Sequence, residues 1–278
     1  VDYFVTDGFG SFGGMVFPTI KIAEADAVII GIPYESATSG KKGASFGPLE
    51  IRKASTDMQI MTRDGLDLTD MALADVGNVD VRPIEGRQHR ERVELAYDTI
   101  FLHDTPVITL GGDHSNTYAI LASLASEGSI GIIWFDAHRD LLDKLMGSRW
   151  SHGSPLRRAL ELSPISPDHV LLVGTRYMEP SEQQYVDNNN ISELRKVDIE
   201  QDPDYLEKFQ SELHRIAAEV DHLYISIDID VLDPAYAPAT GTPVAGGLST
   251  SQLMNFIKHI DVPVRAFDIM EVAPPHDH

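Results

Sequence analysis

The chain contains no cysteine. That excludes disulfides, thiolate nucleophiles, iron–sulfur clusters and cysteine-ligated zinc. Any bound metal must be held by carboxylate and imidazole, a donor set suited to Mn2+, Mg2+ or Zn2+ rather than to soft metals. Basic residues are scarce too: 22 Lys and Arg stand against 43 Asp and Glu, a formal net charge of −21. A nucleic acid or an anionic membrane needs a basic surface, so neither is an expected partner. A cationic substrate is compatible with this balance, as is the simpler reading that an acidic surface keeps the protein in solution. No apolar run approaches the roughly eighteen residues of a membrane span. The opening residues have no secretory-leader pattern, so a cytoplasmic protein is the expectation. The first residue is Val, from which a processed or trimmed start is expected. A length of 278 residues fits one large α/β domain as well as two small ones, and it can bury most of its apolar surface without covalent staples.

What is present has a regular order. Gly8-Phe9-Gly10-Ser11-Phe12-Gly13-Gly14 is glycine-rich, so residues 1–20 read as an irregular arm whose Phe side chains pack on the body or on a neighbouring subunit. Apolar runs then alternate with helical patterns. Strands are predicted at 27–33, 71–76, 107–110, 130–135, 170–173, 194–197, 223–227 and 264–269. Helices are predicted from Pro48 to about Met61, at 87–102, beyond an N-cap at Ser115, and at 155–162, 181–186, 204–220 and 251–259. Near-continuous apolar strands separated by helices indicate a mainly parallel sheet covered on both faces. With no internal repeat and no linker, residues 1–278 are expected to form a single three-layer αβα domain.

Three segments at strand ends carry the chemistry: Gly111-Gly112-Asp113-His114-Ser115, Asp136-Ala137-His138-Arg139-Asp140 and Asp228-Ile229-Asp230. Strand side chains alternate faces, which would put Asp136, His138 and Asp140 on one side and pair Asp228 with Asp230. A lone Asp-x-Asp is usually a turn or a cap, and a lone Gly-Gly-Asp-His is usually a helix entry. Together, beyond the carboxyl ends of a parallel sheet where ligands bind, they read as one site. Several carboxylates buried together need cations. The candidate ligands are His114, Asp136, His138, Asp140, Asp228 and Asp230, and the four aspartates balance two divalent ions. Two metals about 3.5–4 Å apart clamp a bridging water and lower its pKa toward about 7. Hydrolysis at carbon or phosphorus follows. Phosphorus is disfavoured, because no Lys/Arg cluster or phosphate-binding glycine loop lies nearby. Arg139 should point away and form a structural salt bridge. Asp233 should shape its loop, and Arg176 is open between supporting the site and contacting another subunit.

These segments, with 42–48 (KGASFGP), 151–155 (SHGSP), 226–234 (SIDIDVLDP), 238–243 (PATGTP) and 268–272 (DIMEV), resemble the ureohydrolase superfamily of arginases, agmatinases and related amidinohydrolases. The match spans most of the chain in the family's order. The resemblance implies an arginase/deacetylase-like fold and two Mn2+ per chain. One ion would be held by His114, Asp136, Asp140 and Asp228, the other by Asp136, His138, Asp228 and Asp230. It implies attack by a metal-bridging hydroxide, with His152 moving a proton near the leaving amine. Glu271 would pair with the guanidinium and Thr242 would lie at that end of the pocket. Asp140 counts among the catalytic residues as well as the ligands. A homotrimer or homohexamer is implied, and a further C-terminal helix usually follows where this chain ends at His278.

The substrate depends on the far end of the pocket. Residues 141–151 contain no asparagine, unlike the arginase head-group segment, and 151–159 look like agmatinases. Conversion of agmatine to putrescine and urea is therefore the first expectation. Val244-Ala245-Gly246-Gly247 resembles arginases more. Trp150 and Arg149 are expected near the substrate tail, where Arg149 would recognise a carboxylate, as in guanidinobutyrate, guanidinopropionate or another ω-guanidino acid. Arginase and formiminoglutamase-type hydrolysis are further alternatives. A deacetylase-like relative would keep one zinc and lack the second ligand set. A non-catalytic metal-binding relative would be expected to lack His152, Glu271 or a ligand, and none is missing.

Overall fold

The apolar runs form strands because neither of their faces meets water. In the computed structural model, which describes residues 4–5, 12–13, 21–82, 84 and 86–278, all of Ile130–Phe135 is buried. Ile132 and Trp134 pack into one core, Ile133 and Phe135 into another. The strands are β1 (Phe4–Val5), β2 (Ala27–Gly31), β3 (Leu73–Val79), β4 (Val107–Leu110), β5 (Ile130–Phe135), β6 (Val170–Val173), β7 (Ser192–Leu194), β8 (His222–Asp228) and β9 (Ala266–Met270). They form one sheet in the order β1-β3-β2-β4-β9-β8-β5-β6-β7. Among the described residues only β1 is antiparallel; the other eight strands run parallel.

Among the described residues, eight α-helices connect and cover the strands: α1 (Gly47–Ser55), α2 (Gly86–Phe101), α3 (Thr117–Leu124), α4 (Pro155–Ala159), α5 (Pro180–Asn189), α6 (Lys196–Gln201), α7 (Tyr205–Glu219) and α8 (Thr250–Lys258). On one face, Val93, Tyr97 and Ile100 of α2 and Ile120 and Leu124 of α3 pack on Val28, Ile30 and Trp134. On the other, Phe209, Leu213 and Ile216 of α7, at helical spacing, meet Phe256 of α8 over Ile225 and Ile227. The expected three-layer architecture with a mainly parallel sheet is the observed one. No helix among the described residues is long and apolar enough to cross a membrane.

Several boundaries differ from expectation. The helix expected to reach Met61 stops at Ser55. There the Ser55 and Thr56 hydroxyls turn back to the carbonyls of Arg52 and Lys53, a local alternative to continued helix. The strand expected at 194–197 is Ser192–Leu194, and Lys196 already opens α6, where Asp198 accepts the Arg195 N–H at 3.2 Å. The strand expected at 71–76 is shifted to Leu73–Val79. Ser115 is not the cap before α3: it lies in a 3-10 turn, His114–Asn116, whose cap is Asp113, its Oδ1 accepting the Ser115 N–H at 3.1 Å, and Asn116 is the N-cap of α3. The N-terminal arm lies mostly outside the described residues; its Phe4–Val5 adds the edge strand β1.

Candidate metal centre and active site

β4, β9, β8 and β5 are consecutive neighbours in the sheet. Parallel pairing therefore brings out Gly111–His114, Glu271, Asp228–Asp230 and Asp136–Asp140 side by side at the carboxyl edge. The candidate ligands do not converge by strand alternation. β5 ends at Phe135, so Asp136–Asp140 is a loop, and it curls because Asp140 adopts φ 55°. Asp230 lies in a short 3-10 turn, Ile229–Val231, pinned by Asp228 Oδ1 accepting its N–H at 2.8 Å. The glycine before the His114 turn is required sterically: a Cβ on Gly112 would lie 1.9 Å from the Tyr34 carbonyl oxygen.

His114 Nδ1 lies 3.3 Å from Asp136 Oδ2, 3.2 Å from Asp140 Oδ2 and 3.1 Å from Asp228 Oδ2. His138 Nδ1 lies 3.4 Å from Asp136 Oδ1 and 3.1 Å from Asp230 Oδ2. Asp136 thus turns one oxygen to each imidazole. Two donor groups follow, His114–Asp136–Asp228 and Asp136–His138–Asp230. All six side chains are buried except that of His138, which is partly so. Burial and the charge of Asp136 raise Asp140 well above the carboxylate range, and burial and Asp230 do the same to Asp228. Against the upward push of burial, hydrogen bonds from both histidines pull Asp136 below it. Burial disfavours the imidazolium, yet the carboxylates raise His114 to about 9 and His138 to about 12. Packed this closely, the carboxylates favour the uptake of positive charge, as the upward shifts of Asp140, Asp228, His114 and His138 show. An all-oxygen-and-nitrogen donor set in two groups sharing one carboxylate fits a pair of hard or borderline divalent ions.

The groups behind the ligands are ordered. His114 stacks on Trp134, with centroids 4.2 Å apart. Its Nε2 faces Ser226 Oγ at 2.8 Å, and Ser226 donates to buried Asp268 at 2.7 Å. Asp268 also accepts from Thr117 and Tyr224. Arg139 turns away from the cluster and binds both oxygens of Glu193 at 2.7 Å. Arg176 donates to the carbonyls of Asp230, Val231, Leu232 and Val244, bracing the loop beneath the ligands. Asp233 accepts the N–H groups of Ala235, Gly246 and Gly247, so it shapes its loop.

A cavity of about 230 Å3 opens over the cluster. His138, Asp140, Asp228, His152, Thr242 and Ser39 line it, with Leu142, Leu145, Gly153, Tyr177, Glu179 and Glu182 completing the wall. Thr242 Oγ1 donates to Asp230 Oδ2 at 3.2 Å. His152 Nδ1 lies 3.1 Å from Glu271 Oε1, which also accepts the His114 N–H at 2.9 Å. Although burial opposes it, Glu271 raises the His152 pKa. Glu271 is fully buried at φ 62°, with no hydrogen-bond partner on Oε2. Two residues expected at the tail lie elsewhere. Arg149 pairs with Glu161 at 2.8 Å and with Asp143, outside this cavity, because surface carboxylates on the same loop and on α4's end compete for it. Trp150 sits under Arg90, 3.9 Å from its ring, beside Tyr118. Conversely, Ser39, Tyr177, Glu179 and Glu182 escaped notice in the sequence. Glu179-Pro180 opening a helix was the available signal for the last two.

A family model described as Arginase family matches residues 25–278. A human mitochondrial guanidino acid hydrolase is 34% identical over 91% of this chain and 72% of its own length. A guanidinobutyrase of Pseudomonas aeruginosa is 33% identical over 91% and 80%. The crystal structure of the agmatine ureohydrolase of Thermoplasma volcanium superposes with a TM-score of 0.80 at 28% identity, covering 93% of this chain and 85% of that one.

Proposed function

Since the chain belongs to the arginase family of hydrolases acting on C–N bonds of guanidino compounds, we propose that it hydrolyses agmatine to putrescine and urea. One observation carries this reading. Among the described residues, the cavity over the His–Asp cluster is walled by Glu179 and Glu182 and by no lysine or arginine. Agmatine is cationic at both ends, and a carboxylate-lined wall favours an ammonium tail over a carboxylate one. Arg149, which would have recognised an acid, is held by Glu161 and Asp143.

The residues that would hold two Mn2+ are His114, Asp136, Asp140 and Asp228 for one ion, and Asp136, His138, Asp228 and Asp230 for the other. When bound, the pair supplies Lewis acidity that makes water nucleophilic at neutral pH. The chain's own groups do the rest. Glu271, whose Oε2 is buried and unpartnered beside Gly241, would pair with the guanidinium through that oxygen. This fixes the electrophilic carbon over the cluster and offsets its charge. Thr242 holds Asp230 in place. The departing amine is strongly basic and must leave protonated, and His152, steadied by Glu271, is placed to move that proton. The balance is guanidinium plus water to urea plus ammonium. A homotrimer or homohexamer completes the proposal, and a sizing column decides it.

A guanidino acid hydrolase is the second reading, favoured by the two relatives at 34% and 33% identity. A urea-release screen over agmatine, arginine, guanidinobutyrate and guanidinopropionate separates the two. Agmatine should give the highest kcat/KM. A tenfold preference for either acid would transfer the assignment, and no urea from any compound would remove the activity altogether.

A further inference from the structure

His152 does not face the cavity with a free nitrogen. Its Nε2 lies 3.0 Å from the backbone N of Ser39 and 2.8 Å from Ser39 Oγ. A backbone N–H can only donate, so Nε2 is an acceptor here and the ring proton sits on Nδ1, toward Glu271 Oε1. One nitrogen is thus committed to Glu271 and the other is covered by Ser39. Ser39 itself lines the cavity together with the metal-cluster side chains His138, Asp140 and Asp228.

The serine is held in place. Ala37, two residues earlier, donates its N–H to Asp113 Oδ2 at 2.9 Å and accepts the His152 N–H at 3.2 Å. Lys41 N–H reaches the Gly241 carbonyl at 3.1 Å. Gly40 packs so closely that a Cβ there would lie 2.6 Å from the Gly241 oxygen. The loop is therefore tied to the His114 turn, to the segment carrying His152 and to the segment carrying Thr242.

Resting on the guanidine-hydrolysing reading above, we propose that Ser39 is a catalytic residue: its hydroxyl relays the proton between His152 Nε2 and the reacting nitrogen. As the water oxygen bonds to the guanidinium carbon, the C=N π pair withdraws onto nitrogen and the water loses a proton. Ser39 Oγ accepts it as it passes its own hydrogen to His152 Nε2, so His152 becomes the imidazolium. In collapse the direction reverses. The scissile C–N bond breaks with its electron pair kept on nitrogen, that nitrogen takes the Ser39 hydrogen while His152 returns its Nε2 proton to Oγ, and the remaining O–H proton of the tetrahedral carbon passes to the same nitrogen as the C=O bond of urea forms. Serine and histidine end as they began, and the products are urea and ammonium. A hydroxyl can do this because it donates and accepts at once.

Ser39→Ala deletes only the hydroxyl and keeps the backbone N–H that orients the ring. The assay uses the metal-loaded full chain and whichever guanidino compound the wild type cleaves best. A second substrate of the same length has an oxygen next to the scissile nitrogen, so its aminooxy leaving group is weakly basic and needs little proton donation. With the ordinary substrate, kcat should fall about 100-fold, within the range of general acid–base effects, with KM within twofold. With the aminooxy compound the loss should shrink below about fivefold, and Ser39→Thr should recover most of kcat. Wild-type kcat in Ser39→Ala, or equal losses on both substrates, would overturn the relay. Thermal melting and metal content of both variants distinguish lost chemistry from lost fold. A wild type silent on every guanidino compound sinks the assigned activity and the relay with it.

Discussion

His89 lies in α2, outside the cavity, yet it braces the turn that presents His114. Asn116 donates its amide N–H to the Asp113 carbonyl at 2.6 Å, so its Oδ1 is left to accept from His89 Nε2 at 2.7 Å. The His89 ring stacks flat on Tyr34, with centroids 3.5 Å apart, and the Tyr34 carbonyl accepts the Asp113 N–H at 2.8 Å. With its proton on Nε2, His89 has a buried Nδ1 with no partner. Protonating it would bury an N–H without an acceptor. Burial accordingly lowers its pKa from 6.5 to about 4, the bond to Asn116 resisting only in part.

The sign follows from linkage. The unfolded chain binds this proton below pH 6.5 and the native chain only near pH 4, so stability present above pH 6.5 is lost as pH falls between the two. From those two pKa values the loss is on the order of 1 kcal/mol at pH 5.5 and 2–3 kcal/mol at pH 4.5. Other groups titrate over the same interval. The measurement is therefore a difference: urea unfolding of the wild type and of His89→Gln, in chelator, at several values from pH 7.5 to pH 4.5. The glutamine keeps an amide N–H for Asn116 and cannot titrate. It should cost stability at pH 7.5 through the lost stacking. The gap between the two proteins should then narrow by roughly the amounts above as the pH falls. Curves that stay parallel to pH 4.5 would refute the buried neutral histidine.

Two further outcomes follow from the same structure. Because His114 and His138 are raised to about 9 and about 12 without metal, both are protonated at pH 7. Mn2+ loading should release protons, affinity should weaken as pH falls, and elemental analysis should reach two ions per chain. Calorimetry in buffers of different ionisation enthalpy reads the protons, and a buffer-independent heat would contradict the donor geometry. Arg139 is fully buried against Glu193. Arg139→Met should cost about 3–5 kcal/mol in urea unfolding, since it strands a buried carboxylate. Arg139→Met together with Glu193→Leu should recover much of that, whereas additive losses would mean the pair is not coupled.

Side-chain chemistry was legible in the sequence wherever it is local. His114, Asp136, His138, Asp140, Asp228 and Asp230 could be singled out because few residue types bind metal and they fall at the ends of apolar runs. Their means of convergence was not legible. Period-two alternation applies to strands, and the sequence does not show that β5 stops at Phe135 and that Asp140 turns into the left-handed region. Arg149 illustrates the opposite failure. Its distance along the chain from His152 is short, but Asp143 and Glu161 are nearer partners, and a flexible cation goes to the closest carboxylates.

The order of strands in the sheet explains which site residues were missed. Some sheet neighbours are far apart in the chain: β4 lies against β9, and β5 against β8. This brings Glu271 onto the His114 backbone across 157 residues of sequence. By the same permutation β2 pairs with β4, so the loop after β2 places Ser39 on His152, 113 residues away. β6 pairs with β5, so the loop after β6 swings Tyr177 and Glu179 to the cavity that His138 lines. Neither loop carries a metal ligand, and neither has a residue whose type alone announces a role. A serine in a turn and a glutamate before a helix are ordinary caps until the sheet sets them beside the cluster. The candidate metal ligands were readable because their chemistry is rare, whereas the residues proposed to handle protons and the substrate tail are common types made specific by strand order. Variation among relatives in what they cleave would then be expected in the loops after β2 and β6 rather than in the ligand segments.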